Sequence, residues 1–256
     1  MPAHGKLLGS AIGTDDYVCG DEIYTLTTRL EVKKATTDDG TNINCALFYE
    51  ARFSLKQEHK PRGKHVGHLY AYHVDKTKQG DTGDVLWTSE ILMVKKDKTE
   101  LQTIFQELFT ANGNVKKHVR GYAKQLQHHT ILFVDGFVIE PKYRGKRLAQ
   151  LALNAFHRLL SAISKGYAYH GTIVLSPAAN EDQRSDDSKS DAEVERGLIR
   201  SYEKSGYEVW LQGDEEKEGS ITAMGRVVDE EHVQVWGREG KDGMMVDPEH
   251  RLKRGR

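Results

Sequence analysis

The chain has 256 residues, 38% of them hydrophobic, and its 37 Lys and Arg nearly balance 38 Asp and Glu. That is enough apolar material for one large domain or two small ones with a buried core, while the balanced charge excludes an overall electrostatic drive toward nucleic acid or an anionic membrane. Cys19 and Cys45 make neither a disulfide framework nor a zinc site. No stretch approaches the roughly 18 apolar residues of a membrane span, and the N-terminus lacks a basic segment followed by a long apolar run, so a metal-free cytoplasmic or nuclear protein is expected.

Residues 1–20 are rich in Gly, Asp and small side chains and are expected to form a flexible N-terminal arm. From Tyr24 an alternating pattern begins, with Tyr24, Leu26, Leu30 and Val32 on one face. Leu47, Tyr49, Ala51, Phe53 and Leu55 repeat the period after the turn-forming Thr37-Asp38-Asp39-Gly40. A third strand is predicted over Val66 to Val74, with Val66, His68, Tyr70, Tyr72 and Val74 sharing a face, and Leu86 to Thr88 reads as the start of another. His68 and His73 then fall on opposite faces, which argues against a shared metal site with His65. His128 and His129 fall in a loop.

The period then changes. Leu101, Ile104, Phe105, Leu108 and Phe109 recur at helical spacing, and Asn112-Gly113-Asn114 stops that helix before a more basic one reaching about Gln127. Thr130 to Ile139 is a nearly continuous apolar run, read as a central strand buried on both faces. Asp135 interrupts it. A buried carboxylate costs several kcal/mol unless it is paired, protonated or facing a wet cleft, so Asp135 points either to a cleft or to a structural salt bridge.

Pro141 ends the run, and Leu148, Leu151, Ala152, Ala155, Phe156, Leu159, Leu160 and Ile163 mark an amphipathic helix. The next apolar strand, Thr172 to Leu175, follows a connection containing Gly166 and Gly171, which makes a parallel βαβ unit. Ser176-Pro177 ends it, either as a simple strand stop or as a point where the sheet splays open. Residues 180–195 read as an acidic insertion too charged to pack, followed by a short helix around Leu198 to Lys204 with Gly206 at its C′ position. Tyr207, Val209 and Leu211, then Ile221, Ala223, Gly225 and Val227, close the sheet around an acidic turn. The domain is expected to span residues 21–229, with residues 230–256 a C-terminal extension whose basic end is a solvated terminus or a nucleic-acid or import signal.

Chemistry is concentrated at the entry to the amphipathic helix. A glycine-containing turn into a helix N-terminus presents unpaired amides and the positive end of the helix dipole, both suited to phosphate. Gly145 permits close backbone approach, and Arg144, Lys146 and Arg147 add positive charge. An ordinary basic helix start would read the same way.

The run Val138-Ile139-Glu140-Pro141-Lys142-Tyr143-Arg144-Gly145-Lys146 resembles the strand-to-helix signature of the GNAT superfamily of N-acetyltransferases, V-x-P-x-Y-R-G-K-G-[IL]-[GA]. Leu198 to Tyr207 resembles the later A-x-x-L/F-Y-x-K-x-G-F/Y segment of the same family. The resemblance covers about Tyr24 to Val228, with the specific motifs confined to the later half.

It implies a GNAT-like α/β fold: a mixed, largely antiparallel central sheet, a parallel βαβ unit at the cofactor site, and helices on both faces. It also implies transfer of an acetyl group from acetyl-CoA, used as co-substrate, to a primary amine. Amides from Gly145 through Lys146, Arg147, Leu148 and Ala149 to Gln150 would hold the diphosphate, with Arg144 beside them, and the backbone at Phe137, Val138 and Ile139 would hold the pantetheine arm. Tyr202 aligns with the family's tyrosine and becomes the candidate general acid, against the alternative of a tyrosine that packs its helix. Asp135 resembles an acid that acts as a base through water in some relatives.

Two departures stand against the pattern. The family places glycine where this chain has Arg147, which is compatible with cofactor binding if the residue points outward at helical dihedrals. The Asn that many relatives carry before the later helix has no counterpart directly before it here. The other reading is therefore a catalytically degenerate acyl-CoA-binding or regulatory module. An acidic insertion beside the cleft would draw a cationic acceptor such as a polyamine, a lysine side chain or an aminoglycoside-like amine; neither nucleic acid nor membrane is indicated as a partner.

Overall fold

The computed structural model describes residues 5–37, 39–78, 87–92, 100–178, 190–214 and 220–228. Its eight strands are β1 (Leu7–Cys19), β2 (Glu22–Thr36), β3 (Asn42–Gln57), β4 (Lys64–Asp75), β5 (Thr130–Ile139), β6 (Gly171–Leu175), β7 (Glu208–Leu211) and β8 (Ala223–Val228). They form one sheet in the order β1-β2-β3-β4-β5-β6-β8-β7. Every neighbouring pair is antiparallel except β5 and β6, which run parallel. The helices are α1 (Trp87–Leu92), α2 (Glu100–Leu108), α3 (Ala123–Leu126), α4 (Leu148–Ala162) and α5 (Asp191–Glu203). The expected mixed sheet, with its parallel βαβ unit and helices on both faces, is observed.

Two cores follow from strand alternation. On one face Leu26, Leu30, Tyr49, Phe53, Leu69 and Leu132 meet the apolar stripe of α4, whose Leu148, Ala152, Phe156, Leu159 and Leu160 are all buried. On the other, Phe48, Tyr72, Ile131 and Phe133 pack beneath α1 and α2 through Trp87, Ile91, Leu101, Phe105 and Leu108. Fully burying a large apolar side chain is worth about 1.5–3 kcal/mol, so these two layers hold the sheet between its helices.

Residues 7–19 are not an arm. They form β1, paired with β2 from Leu7↔Lys33 to Cys19↔Glu22, and their small residues have a packing purpose. A methyl group on Gly9 would come within 2.9 Å of the Ser164 hydroxyl, and one on Gly13 within 3.2 Å of Leu159, so glycine lets α4 lie close against the strand. The outward positions include Ile12 and Val18, which are 64% and 66% exposed.

Further expectations are corrected. Residues 87–92 are helical, not the start of a strand. Val66 faces α4 instead of sharing a face with His68, because a bulge between the pairs Phe53↔Gly67 and Ser54↔His65 inserts an extra residue that flips the alternation. The later helix begins at Asp191, inside the segment read as an unpackable acidic insertion: Ser190 and Glu193 form a reciprocal capping box, and acids in the first turn complement the helix dipole. The rest of that segment, residues 180–189, and the basic end, residues 230–256, lie outside the described residues. The basic helix expected before residue 127 is a 3-10 turn (Lys117–Tyr122) running into the short α3. Gly206 takes φ +81° in the turn that follows α5, two positions beyond the C-cap at Lys204.

Candidate active site

The sheet comes apart at one point. β5 and β6 run side by side from Ile131↔Thr172 to Val134↔Leu175, where β6 ends while β5 continues to Ile139. At the same point β5 carries a bulge, since Ala71 lies opposite Val134 and Tyr70 opposite Gly136, leaving Asp135 as the extra residue. The bulge puts Val134 and Phe137, three residues apart, into the same core. A gap results, lined by Val134, Gly136 and Phe137 of β5, by Leu175, Ser176 and Ala178 at the end of β6, by Tyr202 of α5 and by Glu100 of α2.

Tyr202 is the gap's buried phenol, 7% exposed. Burial, and after it the negative charge of Glu100, push its pKa well above the ordinary value of 10, so the hydroxyl stays protonated and able to donate throughout the neutral range. Glu100 places a carboxylate at the same gap from the opposite layer, as the first residue of α2.

A buried polar network stands behind Tyr202. The Tyr207 ring meets Tyr202 edge-on at 5.9 Å, and its hydroxyl is 2.9 Å from His157 Nε2. Arg226 lies 3.3 Å from His157 Nδ1 and also donates to the Ser205 carbonyl. A guanidinium can only donate, so Nδ1 accepts and the imidazole proton sits on Nε2, which donates to Tyr207. Burial first, then the Arg226 charge, hold the His157 pKa well below 6.5 and keep the ring neutral. The turn that closes α5 is thereby fixed from three sides.

β5 leads directly into the loop before α4. Pro141–Tyr143 form a 3-10 turn, Gly145 takes φ +73°, and Arg147, the N-cap of α4, takes φ 61° and ψ 4°. Among the described residues Arg147 alone has positive φ without being glycine. The expectation of helical dihedrals there is corrected: Arg147 lies in the left-handed region that glycine favours. No side-chain hydrogen bond caps the helix, and the amides of the first turn of any α-helix lack an intrahelical acceptor. The edge strand reaches this loop too, through Tyr17, whose hydroxyl donates to the Lys146 carbonyl at 2.7 Å.

The residues singled out in the sequence fall into two groups, at the gap and at the entry to α4. Tyr202 and Phe137 line the gap. Val138 pairs with His68 of β4, and the Ile139 carbonyl accepts from Arg144 Nε at 2.8 Å, so Arg144 turns back onto its own strand. Gly145, Lys146 and Arg147 are exposed, Leu148, the first residue of α4, is buried, and Ala149 and Gln150 are half-buried. Asp135 is half-buried at the bulge, flanked by two lining residues but not itself part of the lining. Ser176, at the point where the sheet could splay, lines the gap, while Glu100 is a site residue that the sequence does not reveal. An acid in the first turn of an amphipathic helix reads as a dipole complement, and no local spacing ties it to a strand thirty residues on.

The three histidines of the β4 region divide as expected. His65 and His68 stack at 6.2 Å on one face, while His73 packs edge-on against Tyr169 on the other. Among the described residues no three His, Cys, Asp or Glu side chains gather as metal ligands, and no helix is long and apolar enough to cross a membrane.

No family model matches the sequence, and no curated protein matches it. Among solved structures the chain is similar to an insect protein assigned as arylalkylamine N-acetyltransferase 7, from the yellow fever mosquito Aedes aegypti. The identity is 10% and the TM-score 0.40, over 88% of this chain and 97% of that one. A likeness so distant carries no function across.

Proposed function

We propose that the chain is an acyl-CoA-dependent N-acetyltransferase of the GNAT type, moving an acetyl group from acetyl-CoA to a primary amine. The observation that carries this reading is the gap at the divergence of β5 and β6, lined by a buried phenol and a carboxylate beside the second half of β5, which runs on into a glycine-containing helix entry. The GNAT motifs quoted from residues 138–146 and 198–207 support it independently.

In this mechanism the amides at the α4 entry bind the diphosphate of the donor, and the divergent strand beside Gly136 and Phe137 takes the pantetheine arm. Glu100 accepts a proton from the ammonium form of the acceptor, with Asp135, the residue at the bulge, as the second candidate base. The freed amine nitrogen attacks the thioester carbonyl carbon, a C–N bond forms and the C–S bond breaks. Tyr202 gives its proton to the departing sulfur and regains one from the nitrogen, which is cationic after attack and sheds a second proton to become the amide; the first proton passes from Glu100 to solvent, leaving amide, free thiol and one released proton. A phenol that holds its proton so tightly gives it up only to a base of comparable strength. Desolvation in the same gap raises the basicity of a thiolate as well, which makes the transfer feasible there. A cationic acceptor suits a gap whose charged lining residue is an acid.

Tyr202→Phe tests the reading. Turnover with acetyl-CoA across a panel of primary amines should fall about 10²-fold or more, with the Michaelis constant for acetyl-CoA little changed. Unchanged turnover removes the acid role. Stabilisation of the wild-type protein by acetyl-CoA with no transfer to any amine would select the degenerate acyl-CoA-binding module instead.

A further inference from the structure

Tyr17 is buried at 8% exposure and lies 129 residues from the carbonyl it holds, that of Lys146. Its strand is seated on α4 along its length. Gly9 lies against Ser164 and Tyr167, Gly13 against Leu159, and Arg158 donates through Nη2 to both carboxylate oxygens of Asp15, at 2.6 and 2.7 Å. Asp15 and Tyr17 share the inward face of β1, so the ion pair that fixes the strand on the helix also fixes where the phenol lands.

The contact has a consequence for the next peptide. A peptide group is planar and trans, so its C=O and N–H point in opposite directions. With the Lys146 oxygen drawn inward to a buried hydroxyl, the N–H of Arg147 is turned outward. Next to this anchor Arg147 takes φ 61°, a conformation that residues other than glycine rarely adopt.

We propose that Tyr17 is a positioning residue for the donor's diphosphate: by holding the Lys146–Arg147 peptide it aims the Arg147 amide to the same side as the first amides of α4, where glycine would otherwise be needed to shape the loop. The proposal rests on the acyl-CoA reading above. Tyr17 touches the loop and no reacting atom, so its effect is confined to affinity for the part of the donor that carries phosphate.

Calorimetric titration of wild-type protein and Tyr17→Phe with coenzyme A, dephospho-coenzyme A and pantetheine tests it. The phenylalanine ring keeps the packing and removes only the hydroxyl. The dissociation constants for coenzyme A and dephospho-coenzyme A should both rise about threefold to tenfold, the worth of one hydrogen bond, while that for pantetheine stays within twofold. In steady state the Michaelis constant for acetyl-CoA should rise by the same factor with kcat within twofold. Equal affinities in both proteins, or parallel losses for all three ligands with a fall in kcat, would overturn the positioning role and leave the acyl-CoA reading standing. Wild-type protein that binds none of the three would overturn both.

Discussion

Gln150 and Lys204 join the two halves of the site: the side-chain amide of Gln150, in the first turn of α4, donates to the Lys204 carbonyl at the C-cap of α5, 3.0 Å away. The helix entry proposed to bind the donor is thereby tied to the helix that carries Tyr202. Gln150→Leu keeps the volume and removes the bond. It should lower kcat about threefold to tenfold and speed amide hydrogen exchange across residues 202–207, with little change in overall stability. Unaltered exchange in that turn would show that the two helices are held together by packing alone.

Glu100→Gln preserves shape and removes the ionisable group. Activity near neutral pH should fall about 10²-fold or more, and the deficit should shrink as pH approaches the pKa of the acceptor amine, where free base no longer needs to be made. Asp135→Asn should cost less than about tenfold, since its carboxylate is not part of the gap lining. The reverse order of the two losses would move the proton-accepting role to Asp135.

His73 predicts an acid-sensitive fold. Burial lowers its pKa from 6.5 to about 4. The unfolded chain therefore takes up a proton below pH 6.5 that the folded ring refuses, and stability falls from there until about pH 4, by at most about 1.4 kcal/mol per pH unit. His73→Phe keeps a ring against Tyr49 and Tyr169, and Tyr49 retains its bond to the Tyr167 carbonyl at 2.7 Å. Urea unfolding at pH 7.5, 5.5 and 4.5 should show a shallower loss for the variant, with the slope from His157 remaining. Parallel lines would mean that His73 titrates normally.

Arg147 should be replaceable with gain. Glycine at φ 61° relieves a conformation that costs L-residues about 1–2 kcal/mol, and its greater freedom when unfolded offsets part of this. Arg147→Gly is expected to stabilise by about 0.5–1 kcal/mol, raising Tm by about 1–4 °C. Arg147→Ala loses the same charge without the relief and should show no rise; equal shifts in both would trace the effect to charge.

The sequence was most legible where one face of an element decides its pattern. Thr130 to Ile139, Leu148 to Ile163 and Thr172 to Leu175 stand where the periodicity puts them, because each is buried against a continuous partner. It misled where a residue answers to a distant contact. The glycines of β1 look like disorder until α4 is laid on them, and the acids near residue 191 look unpackable until they cap α5. The bulge at Asp135 was legible as an anomaly, a charge inside an apolar strand, but not as a break in register, since register depends on β4. Glu100 had no signal at all: what joins it to Tyr202 is the gap between two layers, a distance that no local spacing encodes.

The pairing of the first strand with α4 also sets an order of events during synthesis. Asp15 and Tyr17 emerge from the ribosome well before Arg158 and Lys146, their partners 143 and 129 residues later. At about 5–20 residues per second the wait is roughly 7–30 s. Through that interval the inward positions of the first strand, Gly9 and Gly13 among them, have no helix to rest on. A chain stalled before residue 162 stays in that state, and it is the nascent form on which chaperones would be expected to act.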